Sequence, residues 1–201
     1  MGPLLSLFPL EVVLLPGAAL PLHIFEPRYK EMIGECLEQK QVFGIVRGKE
    51  GGVVEVGCTA EILEVTKRYE DGKLDIMTVG RRRFEIVTTN NERAFLRGEV
   101  SYIDDEPSAP AREQVTELLR LHEQILKIFD EEMPEVDEDA PVSFQLAGSL
   151  PLDLDFKQTL LETRAESERV QALIKYYTNL LPTIRRAVKA RRKAGGNGHV
   201  T

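Results

Sequence analysis

Few residues of this sequence have the types and spacing that catalysis requires. His122-Glu123 begins like the H-E-x-x-H motif of zinc proteases, but Leu126 stands where the second histidine would be. Gly148-Ser149 lacks the glycine that completes a nucleophile elbow, and no phosphate loop of the form G-x-x-x-x-G-K-[ST] occurs. We therefore expect no catalytic residues, no metal site and no cofactor. A carboxylate pair among the 33 acidic residues is the open alternative.

Two basic clusters have the composition for contact with anions. On a strand, neighbouring side chains alternate between faces, so at most two residues of Arg81-Arg82-Arg83 would point the same way, and we interpret this cluster as structural. The segment from Arg185 to Lys193 contains several cations and no acid, which allows polyanion contact there. Alternatively, these cations interact with the negative end of a helix dipole. The net charge of −7 argues against a wider nucleic-acid-binding surface.

The first half of the chain predicts a twisted, partly closed β-sheet with one helix. Strands are indicated by short apolar or alternating runs, and Asp71-Gly72 between two of them is typical of a hairpin turn. Asn90-Asn91-Glu92 predicts another turn. The predicted strands are residues 4–8, 12–14, 20–24, 42–47, 59–69, 73–79, 84–89 and 94–103.

One helix is predicted directly after the strand that ends at Ile24. Pro27 suits a first helical position, because proline has its φ preset and needs no N–H partner there. Glu26 would then lie at the helix start, with its carboxylate facing the unpaired N–H groups. Tyr29 begins an apolar stripe that continues through Met32, Ile33, Cys36 and Leu37.

The second half predicts helices. An acidic, proline-bearing stretch at 104–110 indicates a boundary, so we predict a β-rich domain at 1–106, a helical bundle at 107–194 and a flexible tail at 195–201. Helices are expected over 115–129, over 142–150, after a cap at Asp155, and after a Thr163–Glu166 capping pair. Pro182 should kink the last helix or end its regular part. The acidic stretch 130–139 is predicted to be a solvated loop.

Several spaced elements together resemble the Lon substrate-binding (Lon N-terminal) domain family. They are Leu7 to Leu10, Leu14 to Gly17, Phe25-Glu26-Pro27-Arg28-Tyr29, Phe43 to Val46, Gly80 to Ile86, Lys157 to Glu162 and Glu168 to Val170. The resemblance covers nearly the whole chain and implies a PUA-like or barrel-like sheet in a bacterial protein. It also implies structural roles for the motif residues Phe25, Glu26, Pro27, Arg28, Tyr29, Gly80, Arg83 and Phe84. Because the phosphate loop and the peptidase motif are missing, we expect a stand-alone domain without ATPase or peptidase activity.

The resemblance further implies non-catalytic binding of unfolded or exposed apolar polypeptide segments, possibly in partnership with a separate protease. The best local candidate is the apolar loop that holds Pro16, Gly17, Leu20 and Pro21, although packing of this loop into the core is an equal alternative. Two other classes stay open: a small-molecule or nucleic-acid binder, and an enzyme with an unrecognised carboxylate or arginine site. Two widely spaced cysteines and the lack of any apolar run of membrane-spanning length predict a cytoplasmic protein.

Overall fold

The computed structural model describes residues 2–90 and 92–195, with side chains of the last helix as far as Arg191. Asn91 of the predicted turn, residues 196–201 of the predicted tail, and the side chains of Arg192 and Lys193 lie outside this description. Seven strands and five helices occur in the described residues, which confirms the α+β class. They are β1 Leu4–Leu10, β2 Ala19–Ile24, α1 Pro27–Gln39, β3 Phe43–Lys49, β4 Gly52–Val53, β5 Val56–Arg68, β6 Leu74–Asn90, β7 Arg97–Tyr102, α2 Arg112–Ile128, α3 Val142–Gly148, α4 Leu154–Glu162 and α5 Glu166–Gly195.

The chain divides into two compact units. The sheet unit contains the residues up to Glu106 together with Phe144–Arg164, and the helical unit contains Pro107–Ser143 and the residues from Ala165 onward. The sequence-based division placed all of 107–194 in one helical domain, whereas this contact-based division groups Phe144–Arg164 with the sheet. Among the described residues, no helix combines the length and the apolar composition needed to cross a lipid bilayer.

The sheet closes on itself. The strand order β1-β7-β6-β5-β3-β4 is completed by a parallel pairing of β1 with β3, in which Leu7 lies opposite Gly44 and Phe8 opposite Ile45. The remaining pairings are antiparallel. This closure leaves β1 and β3 with a neighbour on both sides, so the barrel-like prediction is confirmed. The predicted strand at residues 12–14 is wrong, because this buried segment pairs with no strand.

The interior of the closed sheet is filled by side chains from opposite strands. Leu5, Leu7, Val46, Phe84 and Val100 form one buried cluster there. Glycine backbone makes room for the Phe84 ring, because a Cβ added at Gly44 or Gly57 would lie 2.7 Å from the ring. Burial of these groups supplies the main stabilising term, at roughly 1.5–3 kcal/mol for each large side chain.

Beyond the closed part, β5 and β6 extend into a long hairpin, and β2 adds to β6 as a third strand. The turn of this hairpin uses the predicted Asp71-Gly72 pair: Gly72 has φ +79° and donates its N–H to the Tyr69 carbonyl at 3.0 Å. We call β2 and the paired parts of β5 and β6 the three-stranded extension. It presents one face that is largely buried and one that is largely exposed.

The helix α1 begins at Pro27 as predicted, and Tyr29, Met32, Ile33 and Cys36 form its buried stripe. The Tyr29 ring stacks on Phe8, with ring centroids 3.9 Å apart. Glu26 occupies the cap position, but its side chain makes no capping hydrogen bond. Its carboxylate instead accepts a hydrogen bond from Arg28 Nε at 2.9 Å, so the predicted interaction with the helix N–H groups is wrong.

The caps of the later helices also differ from the prediction. Helix α4 is capped by Asp153, whose carboxylate accepts the Phe156 N–H at 3.0 Å, and not by Asp155, which pairs with Arg47. In place of the predicted Thr163–Glu166 capping pair, the Thr163 N–H donates to the Thr159 carbonyl at 3.0 Å, and the Glu166 carboxylate accepts bonds from the N–H and hydroxyl of Ser143. Helix α5 does not end at Pro182 but continues to Gly195.

Arg169 and His122 are buried polar side chains of the helical unit. Arg169 is fully buried and donates to the Ser143 hydroxyl at 3.0 Å and to the Glu166 carboxylate. His122 is also fully buried, with its Nδ1 atom 3.2 Å from the Tyr177 hydroxyl. Burial lowers the pKa of His122 from 6.5 to about 4, since the charged ring would lose its hydration. His122 is therefore a core residue.

We expect the protein to lose stability between pH 6.5 and pH 4 through His122. The folded pKa is about 4 and the unfolded pKa about 6.5, so in this window the unfolded state binds more protons and stability falls as the pH falls. The difference corresponds to a loss on the order of 3 kcal/mol. Urea denaturation at a series of pH values measures it, and His122→Gln should flatten the curve over this window. An equally steep curve in the variant would contradict the assignment.

Candidate functional site

The exposed face of the three-stranded extension carries a row of apolar and aromatic side chains. Residues directly opposite in an antiparallel pair share a face, and Ala19, Pro21 and His23 lie opposite Val79, Met77 and Asp75. Phe25 continues the same alternation past the strand end and stacks on His23, with ring centroids 5.9 Å apart. We call Ala19, Pro21, His23, Phe25, Met77 and Val79 the β2 face. Its most prominent member is Phe25, which is 57% exposed.

A hydrogen-bonded cluster fixes the aromatic end of the β2 face. The Asp75 carboxylate bonds to His23 Nδ1 at 2.5 Å through one oxygen and accepts the Tyr69 hydroxyl at 2.7 Å through the other. These bonds lower the pKa of Asp75, with His23 as the larger cause. The Tyr69 ring meets the His23 ring edge-on, at 5.7 Å between centroids. The ring of His23 is therefore held in place before any ligand arrives, which reduces the entropic cost of binding.

The free edge of β2 is poorly suited to strand addition. The Gly80 N–H donates to the Ala18 carbonyl at 2.9 Å, and from this bond the antiparallel ladder directs the main-chain groups of every second residue toward β6. Ala19, Pro21 and His23 therefore face outward, and Pro21 has no N–H to donate. An extended ligand would find a gap in the middle of this edge. Side-chain contact with the face is the better-supported mode.

The structure separates the four residues of the predicted binding loop. Pro21 belongs to the β2 face, whereas Leu20 points to the opposite, more buried face and lies across from Thr78. Pro16 and Gly17 form a turn before β2, in which Gly17 has φ +79° and donates its N–H to the Gly80 carbonyl at 2.9 Å. The turn thus anchors β2 to the start of the closed sheet, and its two residues are not part of the apolar row.

The family-motif residues near β6 lie in the interior. Arg83 is 3% exposed and donates to the carbonyls of Leu161 and Thr163, at 2.8 and 2.7 Å, and to the Asp105 carboxylate. Its neighbours Arg81 and Arg82 are exposed and pair with Glu61 and Asp104. The triple-arginine segment is therefore divided between the two faces of the strand.

Metal-binding clusters and activated thiols are two features that would mark a catalytic centre. Among residues 2–90 and 92–195, no group of three or more His, Cys, Asp or Glu side chains is placed to hold a metal ion. Burial raises the pKa of the Cys36 thiol to about 11 and of the Cys58 thiol to about 12, so both are protonated at neutral pH. The structure thus gives neither cysteine the character of a nucleophile.

The helical unit has a pocket of its own, with a volume of about 550 Å³. Its walls are mainly apolar and include Val115, Leu119, Val136 and Val142, and acidic side chains lie around it. A pocket of this size accommodates a few side chains or a small molecule. It is a second surface to test for apolar ligands, although it lacks the extended shape of the β2 face.

Comparison with known proteins identifies the family. The model of the ATP-dependent protease La (LON) substrate-binding domain matches residues 5–179. The chain belongs to the LON substrate-binding domain family. Lon protease 1 of Hydrogenovibrio crunogenus (strain DSM 25203 / XCL-2) is 22% identical over an alignment of 182 residues, and the match covers 82% of this chain and 22% of that protein. The chain therefore spans about a fifth of the length of this Lon protease.

Solved structures agree with this LON-type fold. The Lon N-terminal domain protein from Xanthomonas campestris superposes with a TM-score of 0.72 at 28% identity, covering 87% of this chain and 98% of that one. The N-terminal domain of the Mycobacterium avium complex Lon protease superposes with a TM-score of 0.65 at 20% identity, covering 88% and 98%. At 20% identity, the second comparison supports only the similarity of the fold.

Sequence reasoning missed most of the β2 face. Phe25 was predicted to be structural, but more than half of its surface is exposed. The signal was present, because the alternation of Leu20, Leu22 and Ile24 puts His23 and Phe25 on the other face of the strand. Met77 and Val79 could not be added without knowing that β6 pairs with β2 and in which register.

Proposed function

We propose that this LON-type domain binds extended, apolar polypeptide segments on the β2 face, without a catalytic step of its own. The proposal is supported most by the apolar row that ends at Phe25, since exposed aromatic side chains on rigid elements are typical anchors of protein interfaces. A polar border runs along this row on the neighbouring strand β5. It consists of Glu61, Glu64 and Lys67, which lie opposite Val79, Met77 and Asp75 of β6. An apolar centre with a polar rim is the usual anatomy of a recognition surface.

The family supports a proposal for the role of the bound polypeptide. The matched family model describes a substrate-binding domain of an ATP-dependent protease. We therefore propose that the bound segment is delivered to a protease for degradation. That protease is either a separate protein or one of which this chain is a part. The two buried, unpaired cysteines fit a reducing compartment, and we place this activity in the cytoplasm.

Removal of the Phe25 ring should weaken binding without unfolding the domain. We expect Phe25→Ser to reduce affinity for a fluorescein-labelled apolar peptide about 5- to 30-fold, the range for loss of an interface anchor worth about 1–2 kcal/mol. Fluorescence anisotropy measures the affinity. The urea midpoint should hardly change, because substitutions at exposed positions alter stability by less than about 0.5 kcal/mol.

Phe129→Ser supplies a matched control. Phe129 is 52% exposed, close to the exposure of Phe25, but it follows α2 in the helical unit. Its loss should leave peptide affinity within about twofold of the parent, whereas equal weakening by both variants would indicate nonspecific adhesion to exposed rings. An unaltered affinity in Phe25→Ser would remove the β2 face from consideration. A peptide N-methylated at alternate residues should bind as well as its parent, since the proposed contact does not add a strand.

A further inference from the structure

A second cavity lies in the sheet unit and shares no residue with the β2 face. Its volume is about 610 Å³. It is bordered by the start of β1, the C-terminal end of α1 and the residues after it, and the start of β7. Three cations line it, Lys40, Arg93 and Arg97, against one carboxylate, Glu35. An excess of positive charge in one cavity contrasts with the net charge of −7 of the whole chain.

Arg97 is the anomalous residue of this cavity. It is the first residue of β7 and is only partly exposed. Its Nε atom is buried, and within residues 2–90 and 92–195 it has no hydrogen-bond partner. A buried N–H of a guanidinium group is normally paired with a carboxylate or a carbonyl, because its lost hydration must be replaced. Arg83, a buried arginine of the same unit, shows the usual arrangement, with carbonyl and carboxylate partners.

Of the other two cations, Lys40 adds to the excess of positive charge and Arg93 does not. Lys40 lies at the C-cap of α1 with φ +51°, and no ion pair joins it to any carboxylate in the described part of the chain. Arg93 pairs with the carboxylates of Glu31 and Glu35, so its charge is offset within the protein. Lys40 and Arg97 are therefore the two cations of the lining that are available to a ligand.

We propose that this cavity binds an oxyanion, a carboxylate or a phosphate, through Arg97 and Lys40. The planar guanidinium matches both groups by paired N–H···O bonds, and the ammonium adds a compact positive charge. Leu4, which is 47% exposed, and Val42 also line the cavity and offer apolar contact to the remainder of the ligand. The same chemistry describes the end of a polypeptide chain and a small phosphorylated metabolite. The site is independent of the polypeptide-binding face proposed above.

Isothermal titration calorimetry with simple probes tests the site and distinguishes the two sources. N-acetyl-leucine presents a carboxylate beside an apolar side chain, N-acetyl-leucinamide is its uncharged counterpart, and inorganic phosphate represents the other source. We expect at least one anion to bind with an affinity that falls as salt is added, and the amide not to bind. A preference for N-acetyl-leucine would indicate a chain terminus, and a preference for phosphate would indicate a phosphorylated ligand.

Two variants should change the affinity for the anion in opposite directions, and a third should leave it unchanged. Arg97→Gln should weaken anion binding at least tenfold, and Glu35→Gln should strengthen it several-fold, because it removes the carboxylate from the lining and releases part of the charge of Arg93. Arg112→Gln removes an exposed arginine of the helical unit and should have no effect. If Arg97→Gln fails to fold, as judged by circular dichroism, Lys40→Gln takes its place, with an expected loss of several-fold.

The proposal is overturned if neither anion binds, or if the amide binds as well as N-acetyl-leucine. It is also overturned if anion affinity is unchanged in Glu35→Gln and in the cation variant used, whether Arg97→Gln or Lys40→Gln. Phe25→Ser should bind the anion normally. That result separates a failure of this site from a failure of the polypeptide-binding proposal.

Discussion

Replacement of Arg83 by methionine should lower the free energy of unfolding by about 3–6 kcal/mol, because it removes two hydrogen bonds from a charged donor to main-chain carbonyls, at about 1.5–3 kcal/mol each. The variant leaves the carbonyls of Leu161 and Thr163 and the carboxylate of Asp105 without the donor that now satisfies them. Methionine is long enough to fill part of the space, so lost packing contributes less than lost polar contacts. Urea denaturation followed by circular dichroism measures the change.

Arg82→Met is the matched control for this prediction. Arg82 is the preceding residue, is exposed, and pairs with Asp104 at 3.3 Å. Because exposed ion pairs contribute about 0–1 kcal/mol, its loss should have a small effect. If the two variants were equally stable, Arg83 would not be the link between β6 and the segment around α4 that its contacts describe.

Replacement of Gly80 by alanine is expected to destabilise the fold by roughly 3 kcal/mol or more, at the upper end for overpacked positions. A Cβ at this position would lie 2.2 Å from the Leu15 carbonyl oxygen, and main chain moves aside less easily than a flexible side chain. The strain would also disturb the turn before β2, since the Gly80 N–H and carbonyl bond to Ala18 and Gly17. Thermal denaturation followed by circular dichroism, in a buffer whose pH changes little with temperature, measures the loss of stability.

Gly34→Ala should act in the opposite direction. Gly34 lies within α1, and a Cβ there would have no neighbouring heavy atom within 4 Å. Alanine favours the helix over glycine by up to about 1 kcal/mol, so this variant should be slightly more stable than the parent. Destabilisation of similar size at Gly34 and Gly80 would mean that the contact of Gly80 with Leu15 is not the cause.

Local patterns predicted the parts of this fold that depend on neighbouring residues. Pro27 and the stripe from Tyr29 to Cys36 gave α1, and Asp71-Gly72 gave the hairpin turn. The parallel closure of β1 on β3 was beyond such patterns, because it joins residues far apart in sequence that local periodicity cannot pair. The cap of α4 was misplaced by two residues, since Asp153 and Asp155 are equally suitable by type.

The same limit applies to the candidate site. The loop that was expected to bind polypeptide contributes Pro21, but strand alternation turns Leu20 toward the opposite face. The sequence could not indicate Arg97 as a binding residue, because the argument for it depends on its buried Nε atom having no hydrogen-bond partner among the described residues. Pairing and burial, which are tertiary properties, therefore decide both proposed sites.

The four methionines of the chain allow the most direct test of polypeptide binding on the β2 face. Met77 lies on this face, Met32 is fully buried in the stripe of α1, and Met133 belongs to the helical unit. In protein labelled with methyl-¹³C methionine, NMR titration with an unfolded apolar polypeptide should shift the Met77 methyl signal and leave those of Met32 and Met133 in place. A shift of Met133 with Met77 unchanged would contradict the account and transfer the binding site to the helical unit.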